Sequence, residues 1–180
     1  MDITKMLAES GMLEQLAGQY GLNVGQVEEV VKMGIPKISK AINNNTSSRE
    51  GMKSFIDAVN GHKNVDLDSM IRDIGKVDRE DGDKILGHIF GNDRSATEAE
   101  LSQAQGISAG SVSGILSILA PILMGMMGNK MGSRSSGFNT GDIFGSILGS
   151  RSGVGNILTS MLDKNNDGNV VDDILGKFFK

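Results

Sequence analysis

The stretch Ile107–Asn129, I-S-A-G-S-V-S-G-I-L-S-I-L-A-P-I-L-M-G-M-M-G-N, decides the fold. No Asp, Glu, Lys or Arg occurs between Glu100 and Lys130. Val112, Ile115, Leu116, Leu119, Leu123, Met126 and Met127 recur at helical spacing, and the opposite face is small or apolar too. A helix of that kind is buried in a core or in a membrane. The apolar run falls short of the roughly 20 residues a bilayer requires, and Ser117, Pro121 and Gly125 interrupt it. The expectation is the central helix of a soluble all-α protein with no membrane span.

Working backwards, the same frame occurs earlier in the chain. A constant offset places Leu16 onto Leu101, Gly21 onto Gly106, Gly25 onto Gly110, Val27 onto Val112, Pro36 onto Pro121 and Asn44 onto Asn129. The chain has two prolines, and both fall at the same point of this frame. The pattern predicts an internally duplicated helix–turn–helix unit. In the first copy, Gly21 ends one helix and Asn23 with Gln26 forms a capping box for the next, which Pro36 should kink or end halfway. Its polar face carries Glu28, Glu29 and Lys32, whereas the second copy has Ser113, Gly114 and Ser117. The first copy should be half exposed and the second buried.

The remaining elements follow from periodicity and caps. Residues 2–19 read as helix with a break near Gly11. Ser47 with Glu50 predicts a capping box for a helix over 51–59. Asp66 or Asp68 opens a short helix through Ile74. Val77–Asp83 reads as an acidic loop, Lys84–Phe90 as a helix, and Thr97 with Glu100 as the cap of the helix entering the second copy. Past Lys130 the composition shifts. Residues 131–141 form a Gly/Ser-rich linker. Residues 142–180 form a Gly-rich helical appendage, with Ile143, Phe144, Ile147 and Leu148 on one predicted helix and Ile157, Leu158, Met161 and Leu162 on another.

Composition narrows the function. The chain has 180 residues and no cysteine, which excludes disulfides, thiolate zinc sites and cysteine nucleophiles. A net charge of −4 argues against a general nucleic-acid or anionic-membrane binder. The N-terminus has early acids and no apolar signal region, so a cytoplasmic location is expected. With no Trp, one Tyr and 11 Met, the core should be adaptable.

The sharpest chemical signal is D-K-N-N-D-G-N-V-V-D-D-I near the C-terminus. Asp163, Asn165, Asp167 and Gly168 occupy positions 1, 3, 5 and 6 of an EF-hand-type calcium loop. A hard cation needs several oxygens converging on one point, and alternate side chains of a tight loop supply them. Asn169 would offer its carbonyl, and Asp172 or Asp173 would close the site, because Ile174 stands where a bidentate Glu belongs. The same residues also make polar turns without a metal. A weak calcium site is the expectation.

Ala17, Gly21 and Val27 have the spacing of a DNA-binding helix–turn–helix. A tight corner between two helices wants the same residues, and the would-be recognition helix places Glu28 and Glu29 where phosphates would lie. His62 and His88 lack partners at zinc-ligand spacing, and His88 should be a partly buried helix residue. The carboxylates of Asp78–Asp83 read as a solvated loop and helix start. No nucleophile elbow, phosphate-binding loop or metalloprotease motif occurs, so no enzymatic role is expected.

Several stretches carry a family resemblance: L-A-G-Q-Y-G-L-N-V-G-Q-V with I-P-K-I at Pro36, S-S-R-E-G-M, D-G-D-K-I-L-G-H-I-F-G, and Q-G-I-S-A-G-S-V with L-A-P-I-L-M-G at Pro121. Over residues 1–130 the chain resembles the YidB-like bacterial domain-of-unknown-function family (DUF nine-three-seven). The ending from Leu162 to Asp173 is similar to that of several members. The resemblance implies an all-helical fold and a bacterial, cytoplasmic setting, and it transfers no catalytic residue.

The sequence thus predicts a multi-helix array with a duplicated helix–turn–helix over 1–130, a linker over 131–141 and an appendage over 142–180. The expected function is that of a structural or interaction protein. It self-associates as a homo-oligomer or binds a protein partner, and Asp163, Asn165, Asp167, Asn169, Asp172 and Asp173 hold calcium. The alternative is a nucleic-acid-associated regulator using the helix–turn–helix units.

Overall fold

Left-handed glycines at Gly21 and Gly106 mark the two corners on which the chain turns. In the computed structural model, which describes residues 3–132 and side chains as far as Asn129, the fold is all-α, with no strand among the described residues. The helices are α1 Ile3–Glu9, α2 Met12–Tyr20, α3 Val24–Asn45, α4 Arg49–Gly61, α5 Leu67–Arg72, α6 Arg79–Phe90, α7 Arg94–Gln105 and α8 Ala109–Gly132. Single 3-10 turns occupy Ile74–Lys76 and Gly91–Asp93.

The two corners share a left-handed glycine and similar main bonds. Gly21 has φ 64 and ψ 35, and Gly106 has φ 61 and ψ 34, a region glycine enters without a Cβ penalty. Leu22 donates its N–H to the Ala17 carbonyl at 2.9 Å, and Ile107 donates to Ser102 at 3.1 Å. The Asn23 side chain accepts from Gln26 N at 2.9 Å, and Ser108 Oγ accepts from Ser111 N at 2.9 Å. The Asn23–Gln26 capping box is complete, because Gln26 Oε1 accepts from Asn23 N at 3.1 Å.

α8 is the core. Ile115, Ile118, Leu119 and Ile122 have no exposed surface, although Ile118 and Ile122 lie off the main apolar stripe. α3, α4, α5, α6 and α7 all pack on it. Ala109–Asn129 is long and apolar enough to cross a bilayer by length and hydropathy alone, yet 72% of its apolar window is buried inside the protein. Helices of this fold cover most of it.

The polar faces of the two long helices diverge for a physical reason. Glu28 and Glu29 both bridge Lys32 in solvent, at 2.9 and 3.1 Å. At the corresponding positions of α8 the rest of the domain closes in. Ser113 Oγ accepts from Arg94 at 3.0 Å, the Tyr20 ring lies where a Gly114 Cβ would be, and Ser117 Oγ donates to Asp83 at 2.7 Å. Charged side chains would have no room there.

Several boundaries differ from expectation. Pro36 does not end α3, which continues to Asn45. Pro36 sits on the exposed side, where water can satisfy the Lys32 carbonyl that the proline leaves without its donor. The cap of α4 is Ser48 rather than Ser47. Ser48 has the extended φ,ψ of a cap and accepts from Gly51 N at 3.0 Å, while Ser47 donates back to Asn44 O at 2.6 Å. Val77–Asp83 is not a loop throughout: Asp78 caps α6 by accepting from Asp81 N at 3.0 Å, and Glu80 and Asp81 favour the helix start. Thr97 lies inside α7, which begins at Arg94 directly after the 3-10 turn.

Candidate functional site

Helices α4 and α6 both rest on α8 but touch one another little, and a cleft of about 490 Å³ opens between them. The face of α4 toward it is Ser54, Phe55, Ala58 and Gly61, continued by the capping His62, and that of α6 is Asp81, Lys84, Ile85, His88 and Ile89. Both sets follow helical spacing, so each wall is one helix face. Ile42 of α3 and Met124 of α8 close the base, and Asn45 and Asp57 stand at the edge. The floor is apolar and the rim polar, the general build of a binding cleft.

One contact ties the walls together. His62 Nε2 lies 2.7 Å from Asp81 Oδ2, and His62 Nδ1 lies 2.7 Å from the Ala58 carbonyl oxygen. A carbonyl can only accept, so Nδ1 carries the proton in that bond. Nε2 then faces the Asp81 carboxyl on the neighbouring helix. The histidine side chain is 16% exposed. Both ring nitrogens are thus engaged within the domain. His88 is exposed, not partly buried, because Ile85, Leu86 and Ile89 take the buried side of α6. The His88 backbone carbonyl accepts from Asn45 Nδ2 at 2.7 Å.

A second polar cluster lies where α6, α7 and α8 meet. Arg94 Nη2 donates to Asp83 Oδ1 at 2.5 Å, Nη1 to the Asp83 carbonyl at 3.0 Å, and Nε to Glu98 Oε1 at 2.7 Å. Ser117 also donates to Asp83. The Ser117 hydroxyl, and next the Arg94 guanidinium, hold the Asp83 carboxyl below its ordinary range. Burial is the largest single influence on Arg94 and lowers it, but the Glu98 and Asp83 carboxylates together outweigh it and raise the guanidinium above its ordinary value. With all its partners inside the domain, this cluster serves as a clamp.

Asp163, Asn165, Asp167, Asn169, Asp172 and Asp173 lie outside the described residues. Among the described residues no group of three or more His, Cys, Asp or Glu is placed to hold a metal ion. The outer side of α3 presents Glu28 and Glu29 with Lys32. Sequence reasoning missed the His62–Asp81 pair, since the residues sit on separate helices with no shared motif.

The sequence profile of a bacterial protein family of unknown function, DUF937, matches residues 3–130. The chain belongs to that family. The matched span takes in both corners, the cleft and nearly all of α8, so these are features of a DUF937 domain. Comparison with characterised proteins and with solved structures yields no match.

Proposed function

We propose that this DUF937 protein is a non-enzymatic structural or interaction protein of the bacterial cytoplasm that self-associates and carries a weak calcium site at Asp163–Asp173. The supporting observation is that the described domain already covers its own core. Val24, at 37%, is the one exposed large hydrophobic among the described residues. The appendage adds Ile143, Phe144, Ile147, Leu148, Ile157, Leu158, Met161 and Leu162. Beyond the α4–α6 cleft the domain offers these side chains little apolar surface, so some of them pair between copies. The engaged nitrogens of His62 and the paired acids of α3 favour this reading over catalysis and over phosphate-backbone binding.

Sedimentation of the full chain over a range of concentrations, with and without millimolar calcium, tests it. A mass above the 19.0 kDa of one chain, rising with concentration, is expected. A strict monomer at high concentration in both conditions overturns self-association.

A further inference from the structure

The α4–α6 cleft is a furrow between two amphipathic helix faces, with no third helix in it among the described residues. From Ser54 to His62 it runs about 12 Å, a little over two helical turns. Such furrows accept the apolar side of one helix, read as residues three and four apart. Met124 at the base suits an adaptable fit.

The course of the chain places a matching segment beside it. Toward its C-terminus α8 runs against the end of α4: a Cβ at Gly128 would stand 2.8 Å from the Val59 carbonyl oxygen and 2.7 Å from Lys63 Cα. α8 ends at Gly132. From there to Ile143 is roughly eleven residues, which span at most about 36–40 Å and on average roughly 17–20 Å in a Gly/Ser-rich chain. The segment T-G-D-I-F-G-S-I-L-G, 140–149, sets Ile143, Phe144, Ile147 and Leu148 on one face of its predicted helix. Its one charge is Asp142; the cleft lining carries Lys84, with Asp57 at the edge and Asp81 already engaged by His62. A short tether raises the effective concentration of such a segment to the millimolar range, ahead of any copy in solution.

We infer that the α4–α6 cleft is the docking site for residues 142–148 of the same chain, with Phe144 and Ile147 seated over Phe55, Ile85 and Met124. The contact is intramolecular and stands apart from self-association, which is left to residues 157–162.

Because the chain has no cysteine, introduced pairs report this directly. In the full chain, Ser54→Cys with Ile147→Cys should close a disulfide within one chain at least tenfold faster than Glu28→Cys with Ile147→Cys, since Glu28 faces away on α3. Equal rates, or a disulfide joining two chains, overturn the inference. Hydrogen exchange gives an independent reading. The amides of Ile147 and Leu148 should be slowed at least tenfold in the wild type. That protection should vanish in Phe144→Asp, which lies outside the domain, and in Ala58→Trp, which fills the cleft, while Ile115–Leu123 stays protected. Unprotected amides in the wild type, or protection that survives Phe144→Asp, overturn it. The mass of the same samples reads self-association separately: an intrachain disulfide in a monomer keeps this docking and removes oligomerisation, and an interchain disulfide does the reverse.

Discussion

Gly82 of α6 lies against the carbonyl oxygen of Ser117 in α8 so closely that a Cβ on Gly82 would overlap it. That carbonyl is the acceptor Pro121 leaves without its helical N–H. The two most extensively packed helices of the domain therefore meet where one has no side chain and the other has a spare oxygen.

Gly82→Ala should destabilise the domain by about 1–3 kcal/mol or more, because backbone on both sides must move. Gly87→Ala, one turn and a half along the same helix, meets no atom within 4 Å and should stabilise by roughly 0.5–1 kcal/mol. Urea denaturation of the two variants separates close approach from helix propensity.

Leu119→Ala should lose about 2–5 kcal/mol, since its side chain has no exposed surface. Glu28→Ala should stay within roughly 0.5 kcal/mol, since its partner Lys32 keeps Glu29. Similar losses in both would contradict the division into one buried and one half-exposed long helix.

Acid should weaken the clamp at Asp83. Its folded carboxyl lies below the ordinary range, so its stabilisation is full above the unfolded value near roughly 3.9 and is lost as pH falls through the lower folded value. The side chain is 53% exposed, so solvent screening keeps the effect to about 1 kcal/mol or less. Stability measured from pH 6 downward should fall less steeply in Asp83→Asn than in the wild type.

Calcium titrated into the full chain should shift the amides of residues 156–179 with an affinity near ~10⁻⁴–10⁻³ M, weak for want of a bidentate Glu. Asp167→Ala should abolish the shift. Flat titrations for both proteins would reduce the loop to a polar turn.

The corners were legible because glycine and Asn–Gln spacing act locally: Gly21, Gly106, Asn23 and Gln26 all do what their chemistry dictates. The burial of α8 was legible from its lack of charge. Choosing Ser48 over Ser47 was not, since either side chain can cap and the backbone angles decide. Asp78 was masked by the acids after it, which suit a loop and a helix start equally. The His62–Asp81 pair depends on two helices being laid side by side on a third. No local spacing encodes that, and the cleft it closes was invisible for the same reason.

α8 contains Gly110, Gly114, Gly125, Gly128 and Gly132 as well as Pro121, a composition that disfavours a free-standing helix. Gly114, Gly125 and Gly128 are also where Tyr20, Val65 with Leu67, and Lys63 approach α8 closely. The element that organises the domain thus depends on its neighbours to exist, and it is the last helix of the domain to be synthesised. During translation α3 to α7 emerge before the helix they pack on, so their faces toward α8 stay open until it has left the ribosome.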